Sequence, residues 1–97
     1  MSKKIAINGF GRIGRNAFKL AFERSDIEIA AINDLTDTKT LAYLLKHDST
    51  YGNYHREVSF NENSIIVDGK EIRVFAEKDP ANLPWDQLEI DVVLEAT

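Results

Sequence analysis

The sequence NGFGRIG, residues 8–14, is the strongest indicator of the fold of this chain. It has the spacing G-x-G-x-x-G and follows a short branched apolar run, residues 4–7, of the kind that forms a buried parallel strand. After it, apolar residues recur at helical spacing. The glycines are therefore predicted to lie at a turn from a strand into a helix, although a glycine-rich turn of this kind can also be purely structural.

Each glycine has a separate role in such a turn. Gly9 permits the tight turn, Gly11 lets the backbone approach a diphosphate, and Gly14 lets the helix lie close against its strand. A side chain at any of these three positions is expected to obstruct the role of the glycine that it replaces. The backbone amides of Arg12 and Ile13 then begin the helix, where unpaired N–H groups and the helix dipole favour an anion. The stretch thus predicts a diphosphate-binding turn.

A carboxylate completes this dinucleotide-binding pattern. A second apolar run, residues 27–34, ends in Asp34, roughly 20 residues beyond the glycines, where the acid that binds the adenosine ribose is expected. Asp34 can accept the hydrogens of two ribose hydroxyls, and its charge would repel a 2′-phosphate, which favours NAD over NADP. No arginine adjoins Asp34 to reverse that preference. The other interpretation of Asp34 is that it caps the next helix.

The composition indicates one small globular domain, with 97 residues of which 43% are hydrophobic. Twelve basic and sixteen acidic residues give a net charge of −4, so no binding to nucleic acid or to an anionic membrane is expected. There is no cysteine, which excludes disulfides and thiolate chemistry within these residues. The apolar run after Lys3 and Lys4 is too short for a signal peptide, so a cytoplasmic protein is expected.

The first half of the chain predicts a β-α-β unit over residues 4–34. Its helix is expected from Gly11 to about Arg24, and a second helix is expected from about residues 36–38 to Lys46 and His47. Five residues of the first helix are expected to face the sheet, namely Ile13, Ala17, Phe18, Ala21 and Phe22. Three are expected to face away, namely Arg15, Lys19 and Glu23.

Period-two alternation from Glu57 predicts small antiparallel strands at the edge of the main sheet, with a tight turn at residues 68–69. A short helical turn is expected at residues 80–83, and a third apolar strand is expected over residues 90–97. We predict an α/β fold, the first half of a Rossmann-type doubly wound parallel sheet with a small antiparallel β insertion. Such a half supplies strands 3, 2 and 1 and leaves one flank of the first strand unpaired.

The segment between the second helix and this insertion, residues 47–54, is predicted to be an ordered surface loop. His47, Asp48 and Ser49 are adjacent in sequence, whereas the members of a catalytic triad converge from separate elements. A hydrogen-bonded loop or a subunit contact is therefore the preferred interpretation, and no catalytic residue is assigned in this chain.

Five segments together resemble phosphorylating glyceraldehyde-3-phosphate dehydrogenase of the bacterial type, namely residues 7–15, 33–34, 45–52, 79–81 and 93–97. The resemblance extends over the whole chain. It implies a homotetrameric glycolytic enzyme that oxidises glyceraldehyde 3-phosphate with NAD and inorganic phosphate. It also implies that 1,3-bisphosphoglycerate forms through a cysteine thioester, on a cysteine located beyond this segment.

The same resemblance implies roles for individual residues at the NAD site. Arg12 and Ile13 resemble the residues whose amides bind the diphosphate, and Asp34 resembles the carboxylate that binds the ribose. The resemblance implies that Asn8 and Asn33 line the cofactor groove beside Gly9, Gly11 and Gly14. Lys78 and Thr97 match positions next to the cofactor. In relatives the position of Lys78 lies beside the adenine. A solvated lysine is the other interpretation of that residue.

The resemblance further implies that residues 1–97 are the amino-terminal portion of an NAD-binding domain whose catalytic domain lies outside this chain. A small phosphorylated aldehyde would then meet NAD only through that other domain. Two alternatives stay open: a sister activity on erythrose 4-phosphate, and a noncatalytic nucleotide-binding fragment or module.

Overall fold

A computed structural model describes residues 3–47, 56–79, 83–84 and 87–96. In chain order the elements are β1 (Lys3–Asn8), α1 (Arg12–Phe22), β2 (Ile27–Asn33), α2 (Thr38–His47), β3 (Val58–Phe60), β4 (Ser64–Val67), β5 (Lys70–Phe75) and β6 (Val92–Glu95). The strands form one six-stranded sheet in the order β3-β4-β5-β2-β1-β6. The predicted α/β class and the β-α-β unit are confirmed. Residues 48–54 of the predicted loop, most of the turn at 80–83, and Thr97 lie outside the described residues.

The position predicted for the last strand is wrong. β6 runs parallel to β1 on the side opposite β2, with Ile5 beside Val92 and Asn8 beside Glu95. The flank of β1 that was expected to stay unpaired is therefore covered. Apolar periodicity identifies a strand but not its neighbour, and the connection between β5 and β6, residues 76–91, carries the chain past both β2 and β1.

The third strand position is instead filled by β5, which was predicted as part of the antiparallel insertion alone. β5 pairs antiparallel with β4 and parallel with β2. The tight turn before it is confirmed, because Asp68 and Gly69 join β4 to β5 with φ values of 50° and 83°. The parallel strands consequently lie in the order β5-β2-β1-β6, so that β1 has a parallel neighbour on each side.

Helix α1 faces the sheet with a slightly different side from the one predicted. Phe18 and Ala21 are buried as expected, but Ile13 is 74% exposed and Arg15 only 8% exposed. The inward line runs through Gly14, Phe18 and Ala21 because Gly14 lies directly against the turn before the helix. This rotation turns Ile13 outward and places the Arg15 guanidinium beside the Phe10 carbonyl, to which it donates a 3.0 Å hydrogen bond.

Helix α2 begins where its sequence predicts. The Asp37 carboxylate accepts hydrogen bonds from the backbone amide and the hydroxyl of Thr40, at 3.2 and 2.7 Å, which is a typical N-terminal cap. The helix then buries Leu41 and Leu45 in a core that also contains Ile7 of β1 and Ile32 of β2. Within the described residues, neither helix has the length and apolar character needed to cross a bilayer.

Candidate functional site

A cleft of about 470 Å³ opens at the carboxyl ends of the parallel strands. It is lined by Asn8, Gly9, Asn33, Asp34, Leu35, Glu77, Lys78 and Glu95. In open α/β sheets a ligand binds at this edge, where the strand order reverses, and here that point is β1 with β2 and β6 on its two sides. Five of the residues predicted for the site therefore lie on one cleft, namely Asn8, Gly9, Asn33, Asp34 and Lys78.

The glycine turn is built for close packing at two of its three glycines. Gly9 has a φ of 96°, which L side chains rarely adopt, and its amide donates to the Asn33 carbonyl at 2.8 Å. A Cβ at Gly14 would lie 2.2 Å from the carbonyl oxygen of Gly9, so only glycine fits there. A Cβ at Gly11 would meet no protein atom within 4 Å beyond its immediate neighbours. The obstruction predicted for Gly11 therefore does not come from the protein itself, and the space beside this residue is open.

Phe10, between the first two glycines, anchors the turn. Its side chain is buried and packs edge-on against Phe18, with ring centroids 5.7 Å apart. Its amide donates to Asp34 Oδ2 at 2.7 Å, and its carbonyl accepts the bond from Arg15. Neither Phe10 nor Arg15 was among the predicted site residues. The sequence signal for Phe10 was a large apolar residue between two glycines. Arg15 could not be identified in this way, because the helical pattern predicted that it faces away from the sheet.

The amino terminus of α1 points its first amides out of the helix. The first helical hydrogen bond runs from the Arg15 amide to the Gly11 carbonyl, at 2.9 Å. The amides of Arg12 and Ile13 precede it and have no helical carbonyl to donate to. Gly11 has no side chain to cap them, and no acidic residue lies in the first turn. The positive end of the helix dipole is thus available to an anion.

Asp34 is held in place by backbone amides. Its Oδ2 accepts from Phe10 and its Oδ1 from the amide of Thr36, at 2.7 and 2.9 Å. Partial burial acts to raise the pKa of this carboxyl, but the hydrogen bonds from Phe10 and Thr36 outweigh it and lower the pKa below its ordinary value of 3.8. The group is an ionised acceptor with lone pairs left for further donors. It does not cap α2, because Asp37 does.

A chain of side-chain hydrogen bonds crosses the cleft floor. Glu95 Oε2 accepts from Asn8 Nδ2 at 2.8 Å, and Asn8 Oδ1 accepts from Asn33 Nδ2 at 2.9 Å. Asn33 also bonds the backbone of Glu77, accepting from its amide at 2.9 Å and donating to its carbonyl at 3.0 Å. We call Asn8 and Asn33 the amide bridge. It fixes both asparagines and ties the ends of β6, β1 and β2 to the chain after β5.

Three residues on this cleft were missed by the sequence analysis, namely Leu35, Glu77 and Glu95. Glu95 lies opposite Asn8 in the β1–β6 pairing, so the correct strand order would have identified it. Lys78 is exposed and lines the cleft. Within the described ranges, no group of three or more acidic or histidine side chains is arranged to hold a metal ion.

Comparison with known proteins decides the family. The family described as glyceraldehyde 3-phosphate dehydrogenase, NAD binding domain, matches residues 3–97. This chain belongs to that family. Its resemblance to glyceraldehyde-3-phosphate dehydrogenase is therefore confirmed, and NAD is the cofactor of the domain.

Bacterial glyceraldehyde-3-phosphate dehydrogenases are close relatives. The Borreliella burgdorferi protein is 65% identical over 94 residues, covering 97% of this chain and 28% of the relative. The Thermotoga maritima protein is 59% identical over 96 residues, covering 97% and 29%. The Geobacillus stearothermophilus protein is 56% identical over 97 residues, covering 100% and 29%. The chain thus spans less than a third of the length of these relatives.

The glycine turn, the start of α1 and Asp34 on the cleft have the chemistry that the diphosphate and adenosine parts of NAD require. The open space beside Gly11 admits a ligand that touches the backbone, and the unpaired amides of α1 suit a diphosphate. The ionised Asp34 suits a ribose diol. Each of these features is already in place in the protein alone.

Proposed function

We propose that this chain forms the adenosine-diphosphate side of an NAD site, and that the complete protein is a glycolytic, NAD-dependent glyceraldehyde-3-phosphate dehydrogenase. The observation that carries the proposal is the hydrogen bond from the Phe10 amide to Asp34, at 2.7 Å. It joins the glycine turn, which suits a diphosphate, to the carboxylate that suits a ribose. Membership of the family supports the same assignment.

Within this proposal each predicted residue has one task. The amides of Arg12 and Ile13 hold the diphosphate, and Gly9, Gly11 and Gly14 shape the turn so that it can approach. Asp34 accepts from the adenosine ribose and disfavours a 2′-phosphate. The amide bridge forms the wall of the groove. Lys78 lies toward the adenine, and the family resemblance implies a cofactor contact for Thr97.

The chemistry itself would need groups outside this chain. NAD, when bound, supplies a hydride acceptor. Residues 1–97 contain no cysteine, so a thioester with glyceraldehyde 3-phosphate could not form on them. We infer that these residues are the amino-terminal portion of the NAD-binding domain, and that they bind and orient the cofactor. The phosphorylated aldehyde, a homotetrameric assembly and a cytoplasmic location are part of the proposal through the family resemblance.

The direct test is NADH formation by the complete protein. NADH should appear only when glyceraldehyde 3-phosphate, NAD and inorganic phosphate are all present. Erythrose 4-phosphate in place of glyceraldehyde 3-phosphate should be turned over more slowly, and residues 1–97 alone should show no turnover. Turnover by residues 1–97 alone, or a rate that does not depend on phosphate, would contradict the proposed reaction.

A further inference from the structure

The charge of Glu95 is not needed for the hydrogen bond that Glu95 makes. Glu95 Oε2 accepts from Asn8 Nδ2 at 2.8 Å, and a glutamine oxygen could accept the same bond. The ion pairs Arg24–Asp26, Arg56–Glu23 and Arg56–Asp68 lie in the described part of the chain, and none of these three includes Glu95. The side chain is exposed at the end of β6 and lines the cleft. Among the described residues no cation forms an ion pair with this carboxylate, and Lys78, which lines the same cleft, follows β5 on the other side of β1.

The position of Glu95 relates it to one half of the cofactor. A dinucleotide lies across the point where the strand order reverses, with one nucleotide on each side. Asp34 follows β2 and marks the adenosine side, together with Glu77 and Lys78, which follow β5. β6 lies on the other side of β1. Glu95 is thus the charged side chain of the described cleft that lies toward the nicotinamide half.

The two redox forms of NAD differ in charge at that half. The nicotinamide ring is cationic in NAD⁺ and neutral in NADH, whereas the diphosphate and the adenosine are the same in both. The amino terminus of α1, Asp34 and Lys78 face the shared parts and cannot distinguish the two forms. We propose that the Glu95 carboxylate makes this site favour the oxidised cofactor over the reduced one. This inference rests on the proposed NAD site and adds to it a residue that selects the redox form.

The size of the effect follows from a single charge interaction across a partly hydrated cleft. One such interaction corresponds to a change of roughly threefold to tenfold in relative affinity. The carboxylate also repels the diphosphate, but this lowers the affinity for both forms equally. The ratio of the NADH and NAD⁺ dissociation constants therefore isolates the ring charge.

The test is a calorimetric titration of the complete protein with NAD⁺, NADH and ADP-ribose, for the wild type and for Glu95→Gln. The glutamine keeps the acceptor for Asn8 and removes the charge. In this variant, affinity for NAD⁺ should fall roughly threefold to tenfold relative to NADH. ADP-ribose, which has the diphosphate without the ring, should change in parallel with NADH.

Asp91→Asn is the matched control. Asp91 immediately precedes β6, at the end of the strand opposite Glu95, where its Oδ2 accepts from the Lys4 amide at 2.8 Å, and asparagine keeps that acceptor. The variant removes the same charge beside the same strand but away from the cleft, so the ratio of the NADH and NAD⁺ dissociation constants should stay at the wild-type value. An equal shift in both variants would overturn the proposal, as would an unchanged ratio in Glu95→Gln.

A second measurement does not depend on any variant. In the wild-type protein, the preference for NAD⁺ over NADH should weaken as salt is added, because screening reduces the attraction between Glu95 and the ring. A preference that does not change with ionic strength would contradict the charge mechanism. Failure of the wild type to bind NAD⁺, NADH or ADP-ribose would instead overturn the proposed NAD site itself.

Discussion

Asp34 and Glu95 lie on opposite sides of β1, and the protein holds these two carboxylates differently. On the β2 side, Asp34 is partly buried and accepts from two backbone amides. On the β6 side, Glu95 is exposed and accepts from one side-chain amide of Asn8. The carboxylate on the β2 side is thus held by backbone that the fold itself fixes, while the carboxylate on the β6 side is held by a side chain. Changes on the first side should disturb folding and binding together, and changes on the second should mainly alter binding.

Gly14→Ala should have the largest effect on the adenosine side. The added Cβ would lie 2.2 Å from the Gly9 carbonyl oxygen, so the helix or the turn must move. We expect a loss of about 2–3 kcal/mol in the free energy of unfolding, measured by urea denaturation of the complete protein, and a loss of NAD binding. The control is Asn16→Ala on the exposed face of α1, which should change the free energy of unfolding by less than about 0.5 kcal/mol. Gly69→Ala is not a suitable control, because Gly69 has a positive φ. Equal stabilities for Gly14→Ala and Asn16→Ala would contradict the packing described for the turn.

Asp34→Ala should weaken NAD binding roughly tenfold to a hundredfold, because charged hydrogen bonds to the ribose are lost. The preference for NAD over NADP should narrow at the same time. Titration calorimetry with both cofactors measures the two effects. The control is Asp37→Ala, which removes the same charge three residues away and also removes the N-terminal cap of α2. This variant should lower stability but leave the ratio of NAD to NADP affinity unchanged. If Asp34→Ala bound NAD as tightly as the wild type, Asp34 would not be part of the site.

Asn33→Ala should destabilise the protein by about 1–2 kcal/mol, since the buried Asn8 Oδ1 and the partly buried Glu77 amide both lose their partner. Thermal or urea unfolding measures this. The double variant with Asn8→Ala should cost less than the sum of the two single variants, because both remove the same bond. Strict additivity would show that the amide bridge does not act as one unit.

The smallest expected effect concerns pH. The folded-state pKa of Asp34 is lowered, so its ionised form stabilises the fold above the pKa of the unfolded chain, and this contribution is lost as the pH falls through the folded-state value. The difference in unfolding free energy between the wild type and Asp34→Asn should therefore shrink in acid, below its ordinary pKa of 3.8. We expect a change under about 1 kcal/mol, because solvent screens this partly exposed group. A difference that grows on acidification would have the wrong sign.

Local features of the fold could be predicted from the sequence because short-range chemistry determines them. The strand before the glycines, the Asp37 cap of α2 and the turn at Asp68 and Gly69 each depend on neighbouring residues. The strand order could not be predicted this way. Alternation marked β5 as a strand, but its second partner, β2, is set by tertiary packing.

The same distinction between short-range features and strand order applies to the residues of the candidate site. Asp34 and the glycines follow from spacing along the chain, whereas Glu95 enters the cleft only because β6 pairs with β1. Arg15 was placed outside because a charged residue usually faces solvent, yet its guanidinium reaches the Phe10 carbonyl. Long-range pairing and a small rotation of one helix account for these misses.

We propose that the glycine turn is shaped for a diphosphate and not only for packing. Gly11→Ala separates these two roles, because a Cβ there meets no protein atom within 4 Å beyond its neighbours. We predict that unfolding of the complete protein by urea changes by less than about 1 kcal/mol, while NAD affinity measured by calorimetry falls at least roughly tenfold. Wild-type NAD affinity in a normally folded Gly11→Ala protein would contradict the claim.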